Sequence, residues 1–263
     1  MSDFSNLDVE DTRKGIVQFI KDKVNDANAN GIVVGLSGGI DSTLTAFLAT
    51  EAVGKENVFG VILPSTTTPT EDKVHGIDIA QLLGINYKEI AIDSILNEFL
   101  ILTDGERKAS ELSIGNLKAR IRMAIIYYYA NEMNYIVGGT GNRSELLIGY
   151  FTKHGDGACD IAPIGKLYKS EVKQLADSMG IPENIIKKPP RGGLWNNQTD
   201  EDEIGMPYHI LDRILYLYID LKKDADYISK ELNVPKDEVE RMIERVNRNS
   251  HKTKIPETPG SGD

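Results

Sequence analysis

The stretch Ile32-Val-Val-Gly-Leu-Ser37-Gly38-Gly39-Ile40-Asp41-Ser42 decides the fold of this chain. Five apolar residues run without polar interruption, as expected of a strand buried on both faces, and they empty into a hydroxyl-and-glycine turn. Gly38 and Gly39 lack Cβ atoms, so the backbone can turn tightly and bring several N–H groups against one anion. Ser37 and Ser42 flank them with hydroxyl donors. A helix expected from Asp41 through Thr43-Leu-Thr-Ala-Phe-Leu-Ala-Thr-Glu51 adds its unpaired amides and the positive end of its dipole. The turn is therefore suited to a nucleotide polyphosphate.

What the turn lacks narrows its class. A Walker A loop needs Lys before its final hydroxyl, and here that position is Asp41. A carboxylate repels phosphate unless a cation intervenes, so Asp41 implies Mg²⁺ shared between one or two carboxylates and substrate oxygens. The Gly-x-Gly-x-x-Gly dinucleotide fingerprint is also absent, since Gly139-Thr-Gly141-Asn-Arg-Ser144 lacks the third glycine.

Outward from this turn, apolar runs predict further strands at 58–63, 86–91 and 135–138, separated by helical periodicity. Alternating β and α implies a parallel, doubly wound sheet covered on both faces, with ligands beyond the carboxyl ends of the strands. The glycine turn, Ser65-Thr-Thr-Thr-Pro-Thr70 and Gly139-Thr140 all fall at such ends. The threonine run also reads as a cap for a helix over 71–83.

Ile16, Phe19, Ile20 and Val24 predict an N-terminal helix. Pro207 and Pro235 each open a C-terminal helix, the first through Ile210, Ile214, Leu215 and Leu217 and the second through Val239, Met242, Ile243 and Val246. The segment 113–133 is more apolar than one core-facing stripe requires, which fits either a well-buried helix or a subunit interface. One domain over 1–253 is expected, followed by a mobile tail over 254–263, where Pro and Gly cannot continue a helix.

Composition sets limits. The 263 residues carry a net charge of −10, with 40% hydrophobic and 27% charged residues and a single cysteine. The acidic balance argues against a nucleic-acid surface, which needs clustered Lys and Arg. No apolar run reaches membrane-spanning length, no signal or transit segment is evident, and one cysteine gives no disulfide framework, so a cytoplasmic enzyme is expected.

Ser-Gly-Gly-x-Asp-Ser after a strand resembles the pyrophosphate loop of the N-type ATP pyrophosphatases, which adenylate a substrate and release pyrophosphate. Further blocks choose among them: Gly115-Asn116-Leu-Lys118-Ala-Arg120-Ile-Arg122, Gly139-Thr140-Gly-Asn-Arg-Ser-Glu145, Gly149-Tyr150-Phe-Thr-Lys153-His-Gly-Asp156, Leu167-Tyr-Lys169, Leu194 to Gly205 and Ser250-His251-Lys252. In order and spacing they are similar to ammonia-dependent NAD⁺ synthetase, a Rossmann-like α/β fold.

The resemblance implies amidation of deamido-NAD⁺ to NAD⁺, with ATP, ammonia and Mg²⁺, in a homodimer. It assigns ATP to Ser37, Gly38, Gly39, Asp41, Ser42, Thr140, Lys169 and Arg191, and the metal to Asp41 and Glu145. Asn116, Arg120, Tyr150, Lys153, Asp156, His251 and Lys252 would hold deamido-NAD⁺. Asp41, Lys169 and Asp156 would serve catalysis. Two positions depart from the pattern: Arg191 stands where a small hydroxyl residue is usual, and Leu112 where an aromatic one is.

Cys159 lies within Asp156-Gly-Ala-Cys-Asp160 and reads as a packing residue. No glutaminase fits within this length, so free ammonia is the expected donor, with a separate glutaminase partner left open. Two rivals use a similar loop. A tRNA-thiolating enzyme needs paired cysteines and a basic surface, which this chain lacks; a non-catalytic ATP-binding module would not need Asp41, Glu145 and Lys169 together.

Overall fold

Four parallel strands form the sheet: β1 (Gly31–Gly35), β2 (Val58–Ile62), β3 (Asn86–Glu89) and β4 (Tyr135–Gly138), in the order β3-β2-β1-β4. The computed structural model describes residues 7–104, 109–195, 199–256 and 258–259. Winding runs outward from β1 to β3 and then returns to place β4 on the other side of β1. The carboxyl ends of β1 and β4 thus flank the point where the winding reverses, the expected location of a ligand crevice.

Twelve α-helices surround the sheet among the described residues. In chain order they are α1 (Val9–Asp26), α2 (Ile40–Val53), α3 (Thr70–Leu83), α4 (Asp93–Asp104), α5 (Glu111–Met133), α6 (Arg143–Ile148), α7 (Lys169–Ser178), α8 (Glu183–Ile186), α9 (Asp200–Ile204), α10 (Tyr208–Leu215), α11 (Ala225–Leu232) and α12 (Lys236–Asn249). Alternation along β1 sends Ile32 and Val34 into one core with α1, α2, α3 and α7, while Val33 joins Val61 and Val137 in a second core under α4 and α5. Both faces of the sheet are therefore covered, and Ile32, Val33 and Val34 are fully buried. A third apolar core gathers Ile148, Tyr168, Ile204, Leu211, Ile214, Val239 and Met242 from the C-terminal helices.

The expected strands occur, with small changes at their ends. β1 starts one residue earlier and ends at Gly35, although the amide of Leu36 still donates to the carbonyl of Val61. β3 stops at Glu89 as an exposed edge strand, with Lys88 and Glu89 supplying charges that discourage pairing with another chain. On α1 the expected positions Ile20 and Val24 are buried and Ile16 packs against the same core; Val17 joins them, whereas Phe19 is exposed.

Pro207 and Pro235 occupy the cap positions before α10 and α12 rather than their first turns. α10 continues into a π-helical turn over Tyr216–Asp220. Between them lies α11, which sequence periodicity did not reveal. The chain leaves helix after a 3₁₀ turn at Ser250–Lys252. Of the expected tail, residue 257 and residues 260–263 lie outside the described residues.

Candidate active site

The phosphate turn is built as its residue types imply. Gly38 adopts φ +76°, and a Cβ there would sit 2.0 Å from the main-chain oxygen of Asp72, so both conformation and space demand glycine. Gly39 begins α2, and no side chain caps that helix start. Its amides are left for an anion. The amide of Gly39 donates to Ser37 Oγ at 3.3 Å, and the hydroxyls of Ser37 and Ser42 lie 3.1 Å apart, which holds the turn closed around its concave side.

Behind the turn lies a cleft open to solvent. It is lined by Ser37, Gly39, Asp41, Ser42, Thr140, Glu145, Tyr150, Asp156, Lys169 and Arg191. Ten sequence-assigned residues drawn from five separate segments thus meet in one space. Gly38 supports this wall from behind. The Ser65–Pro69 segment does not line the cleft; Asp72, on the helix it introduces, does.

At the centre is a charge cluster. The Lys169 ammonium is paired with the carboxylate of Asp41 and lies 3.4 Å from Glu145 Oε1. Asn142 joins the two acids: its side-chain amide donates to Asp41 Oδ1 at 3.0 Å, and its backbone amide donates to Glu145 Oε2 at 3.2 Å. Asn142 also caps α6 by accepting from the amide of Glu145, completing a capping box. Burial opposes the charge on Lys169, but Asp41 and Glu145 outweigh it and hold the ammonium firmly protonated. Burial also pushes the Glu145 carboxyl up to about 8, with Lys169 opposing and Asp41 adding to the shift.

A further buried acid, Asp200, lines the same cleft and is raised to about 6, chiefly by burial. It accepts hydrogen bonds from the hydroxyls of Tyr150 at 3.1 Å and Tyr208 at 3.3 Å.

This arrangement fits Mg²⁺. The carboxyl groups of Asp41, Glu145 and Asp200 converge on one ammonium, and the raised proton affinity of Glu145 and Asp200 reports burial and a crowding of acids that a triphosphate alone would worsen and a cation would relieve. Among the described residues no three His, Cys, Asp or Glu side chains gather to chelate an ion unaided. Two carboxylates completed by phosphate oxygens are the donor set this hard cation takes.

Asn116, Arg120, Lys153, His251 and Lys252 gather around the loop 149–157, whose Tyr150 and Asp156 line the cleft. Thr152 donates to Asn116 Oδ1 at 2.7 Å, and Arg120 donates to the Lys153 carbonyl at 3.2 Å. Lys153 Nζ donates to the His251 carbonyl at 3.1 Å, while Lys252 Nζ donates to the carbonyls of Gly149 at 2.7 Å and Phe151 at 3.0 Å. Asp156 accepts from the Thr152 amide at 2.9 Å, and burial raises its carboxyl. The loop is thereby fixed by α5 on one side and by the chain end on the other. Residues 196–198, inside the last matching block, lie outside the described residues.

Several groups were not legible as site residues. Asp212 on α10 accepts from Ser144 Oγ and from the amide and hydroxyl of Ser170, tying together the starts of α6 and α7 that carry Glu145 and Lys169. Its only trace in the sequence is a charge amid the apolar face of Leu211, Ile214 and Leu215. Asn142 belongs to an Asn-x-x-Glu capping pattern that the sequence reading did not use. Asp200, the first inward-facing acid of the run Asp200-Glu-Asp-Glu203, carried no signal that set it apart.

Fold and site together define a nucleotide-binding α/β protein organised around a phosphate turn, a buried lysine and flanking carboxylates. The chain belongs to the NAD synthase family, whose sequence pattern it matches over residues 12–256. It is 48% identical over 255 residues to the NH₃-dependent NAD⁺ synthetase of Methanocaldococcus jannaschii, covering 95% of this chain and 97% of the relative. Among solved structures it resembles the NH₃-dependent NAD synthetase of Campylobacter jejuni, with TM-score 0.82, 33% identity, and coverage of 97% of this chain and 100% of that one. It also resembles the NMN synthetase of Francisella tularensis, with TM-score 0.86, 35% identity and the same coverage.

Proposed function

We infer that this protein is a ligase that amidates deamido-NAD⁺ to NAD⁺ with ammonia, driven by cleavage of ATP to AMP and pyrophosphate. The observation that carries this reading is the joining of Asp41, Glu145 and Lys169 behind an uncapped phosphate turn in a chain of this family. A nicotinate carboxylate is a poor electrophile, because ammonia would meet a delocalised anion without a leaving group. Attack of that carboxylate on the α-phosphorus expels pyrophosphate and leaves an acyl-adenylate. Ammonia then adds to the acyl carbon, AMP departs, and one proton is lost from nitrogen.

The side chains suit both steps. Ser37, Gly38, Gly39 and Ser42 hold the outer phosphates through backbone and hydroxyl donors. Lys169 neutralises the α-phosphate as charge develops on its oxygens, a task for preoriented electrostatics rather than for a protein nucleophile. Asp41 and Glu145 hold Mg²⁺, which when bound screens the triphosphate and polarises its phosphoryl oxygens. Thr140 lies beside the adenine nucleotide.

Tyr150 offers a ring face to the pyridine, its hydroxyl anchored by Asp200 and by Glu203 at 2.8 Å. Asn116, Arg120, Lys153, Asp156, His251 and Lys252 position the dinucleotide by way of the loop they fix. Arg120 would reach its charged portion across a homodimer interface. We further place the whole of 1–253 in one catalytic domain and the enzyme in the cytoplasm, where ATP and dinucleotide are available; among the described residues no helix is long and apolar enough to cross a membrane.

The likeness to an NMN synthetase supplies a second reading, in which the acid of the mononucleotide is the substrate. Incubation with ATP, Mg²⁺ and ammonium, with either deamido-NAD⁺ or nicotinate mononucleotide, distinguishes them. Pyrophosphate release dependent on deamido-NAD⁺, with NAD⁺ formed, supports the primary reading. Dependence on the mononucleotide alone replaces it with the second, and pyrophosphate release with neither overturns both.

A further inference from the structure

Two acids from one helical run brace the helix starts that carry the charge cluster. Asp212, fully buried on α10, accepts from Ser144 Oγ of α6 at 2.5 Å and from the amide and hydroxyl of Ser170 on α7 at 2.8 and 2.7 Å. Asp220, at the end of the π-helical turn, makes a second such bridge. Arg143 Nη2 donates to its Oδ1 at 2.5 Å, and the Tyr168 hydroxyl donates to its Oδ2 at 2.6 Å. Arg143 opens α6 two residues before Glu145, and Tyr168 is the cap residue immediately before Lys169.

The spacing of the two acids is one that an α-helix does not serve. At about 3.6 residues per turn, a side chain seven positions on returns to roughly the same face, whereas one eight positions on points about 80° away. Asp212 and Asp220 are eight apart, yet both face the starts of α6 and α7. The π-turn supplies the difference: the amide of Leu221 donates to the carbonyl of Tyr216, five residues back, at 3.1 Å, so one extra residue is taken up within the turn. In an uninterrupted helix Ile219 would stand on the face that Asp220 takes.

Asp220 gathers two groups into one unit. It is the one ion-pair partner of Arg143 among the described residues, and the guanidinium carbon lies 5.0 Å from the centre of the Tyr168 ring. Backbone donors couple this unit to the site, since the Arg143 amide donates to the Leu167 carbonyl at 2.8 Å and the Lys169 amide to Ser144 Oγ at 3.0 Å. Any slip of α6 against α7 therefore moves Glu145 relative to the Lys169 ammonium, now 3.4 Å from it.

We propose that Asp220, brought into line by the π-turn, is a positioning residue that with Asp212 holds α6 and α7 in the register setting Glu145 against Lys169 and Asp41. The inference rests on the ATP-cleaving reading, in which those three groups serve the triphosphate. Asp220, Arg143 and Tyr168 do not line the cleft, and the Asp220 side chain is 32% exposed, so its ion pair adds little to stability.

The test compares Asp220→Ala, Asp220→Asn and Asp220→Glu with the parent by deamido-NAD⁺-dependent pyrophosphate release, at a temperature well below the melting point of each. Misplacement of the cluster predicts kcat about tenfold lower in Asp220→Ala, with KM for ATP changed less than about twofold. Asp220→Asn, which keeps an acceptor for the Tyr168 hydroxyl, should fall between, and Asp220→Glu, which restores the carboxylate, should recover most of the rate. Parental kcat in Asp220→Ala overturns the inference, as does a loss that Asp220→Glu leaves unrepaired or one that appears equally in KM. Should Asp220→Ala not fold, Asp220→Asn decides by the same criteria. A parent that releases no pyrophosphate with deamido-NAD⁺ overturns the proposed reaction and this inference with it, whereas an active parent with unaffected variants overturns the inference alone.

Discussion

Gly38 and Asp41 sit three residues apart and answer to different constraints. At Gly38 a methyl group meets both a left-handed backbone and the Asp72 carbonyl oxygen at 2.0 Å. Gly38→Ala is expected to cost about 1–3 kcal/mol from backbone strain alone, before the clash is relieved, and to weaken ATP binding; urea unfolding and nucleotide titration measure the two losses. Asp41 answers to charge, as the carboxylate that, with Glu145, compensates the buried Lys169 ammonium. Asp41→Asn removes the partner of Lys169 and a metal oxygen, so turnover should fall at least ~10²-fold while the circular dichroism spectrum stays that of the parent. Normal pyrophosphate release by that variant would remove Asp41 from its metal role.

Among the elements, α6 and α7 matter out of proportion to their length, because their first turns present Glu145 and Lys169. Asn142 caps one, and Asp212 ties both. Asn142→Ala should destabilise by about 1 kcal/mol through loss of the cap, and should also raise the Mg²⁺ requirement, since Asp41 loses its amide donor. A thermal melt and a magnesium titration read these independently. Asp212→Asn replaces an acceptor of donors only with a group that must turn an N–H toward Ser144 or Ser170; lowered stability and a larger fall in kcat than rise in KM are expected from kinetics and melting.

Much of this level was legible in advance. Strands buried on both faces are unbroken apolar runs, whereas the Asn-x-x-Glu signal of the capped α6 went unread. α11 escaped notice because only Ile228 is buried along its eight residues. Lys188 and Asp72, which line the cleft, escaped because a lysine beside two prolines, and an acid in a first helical turn, have ordinary surface explanations.

Taken as a whole molecule, the chain leaves large apolar side chains exposed among the described residues: Ile95, Phe99, Ile101 and Leu102 on α4, and Leu112 and Tyr128 towards opposite ends of α5. The homodimer proposed above would cover the α4 group. The pair Phe99→Asp and Leu102→Asp is expected to halve the solution mass, and light scattering after size-exclusion chromatography checks it. An unchanged mass would remove α4 from the proposed homodimer contact.

Asp41 and Lys169 are separated by 128 positions in the chain, yet they share one salt bridge. Until the later partner has been synthesised and packed, Asp41 lacks the ammonium that neutralises it in the finished fold. Chain order therefore means that this buried ion pair, and the cluster closed around it, can form only once residue 169 has been added and its helix packed in place.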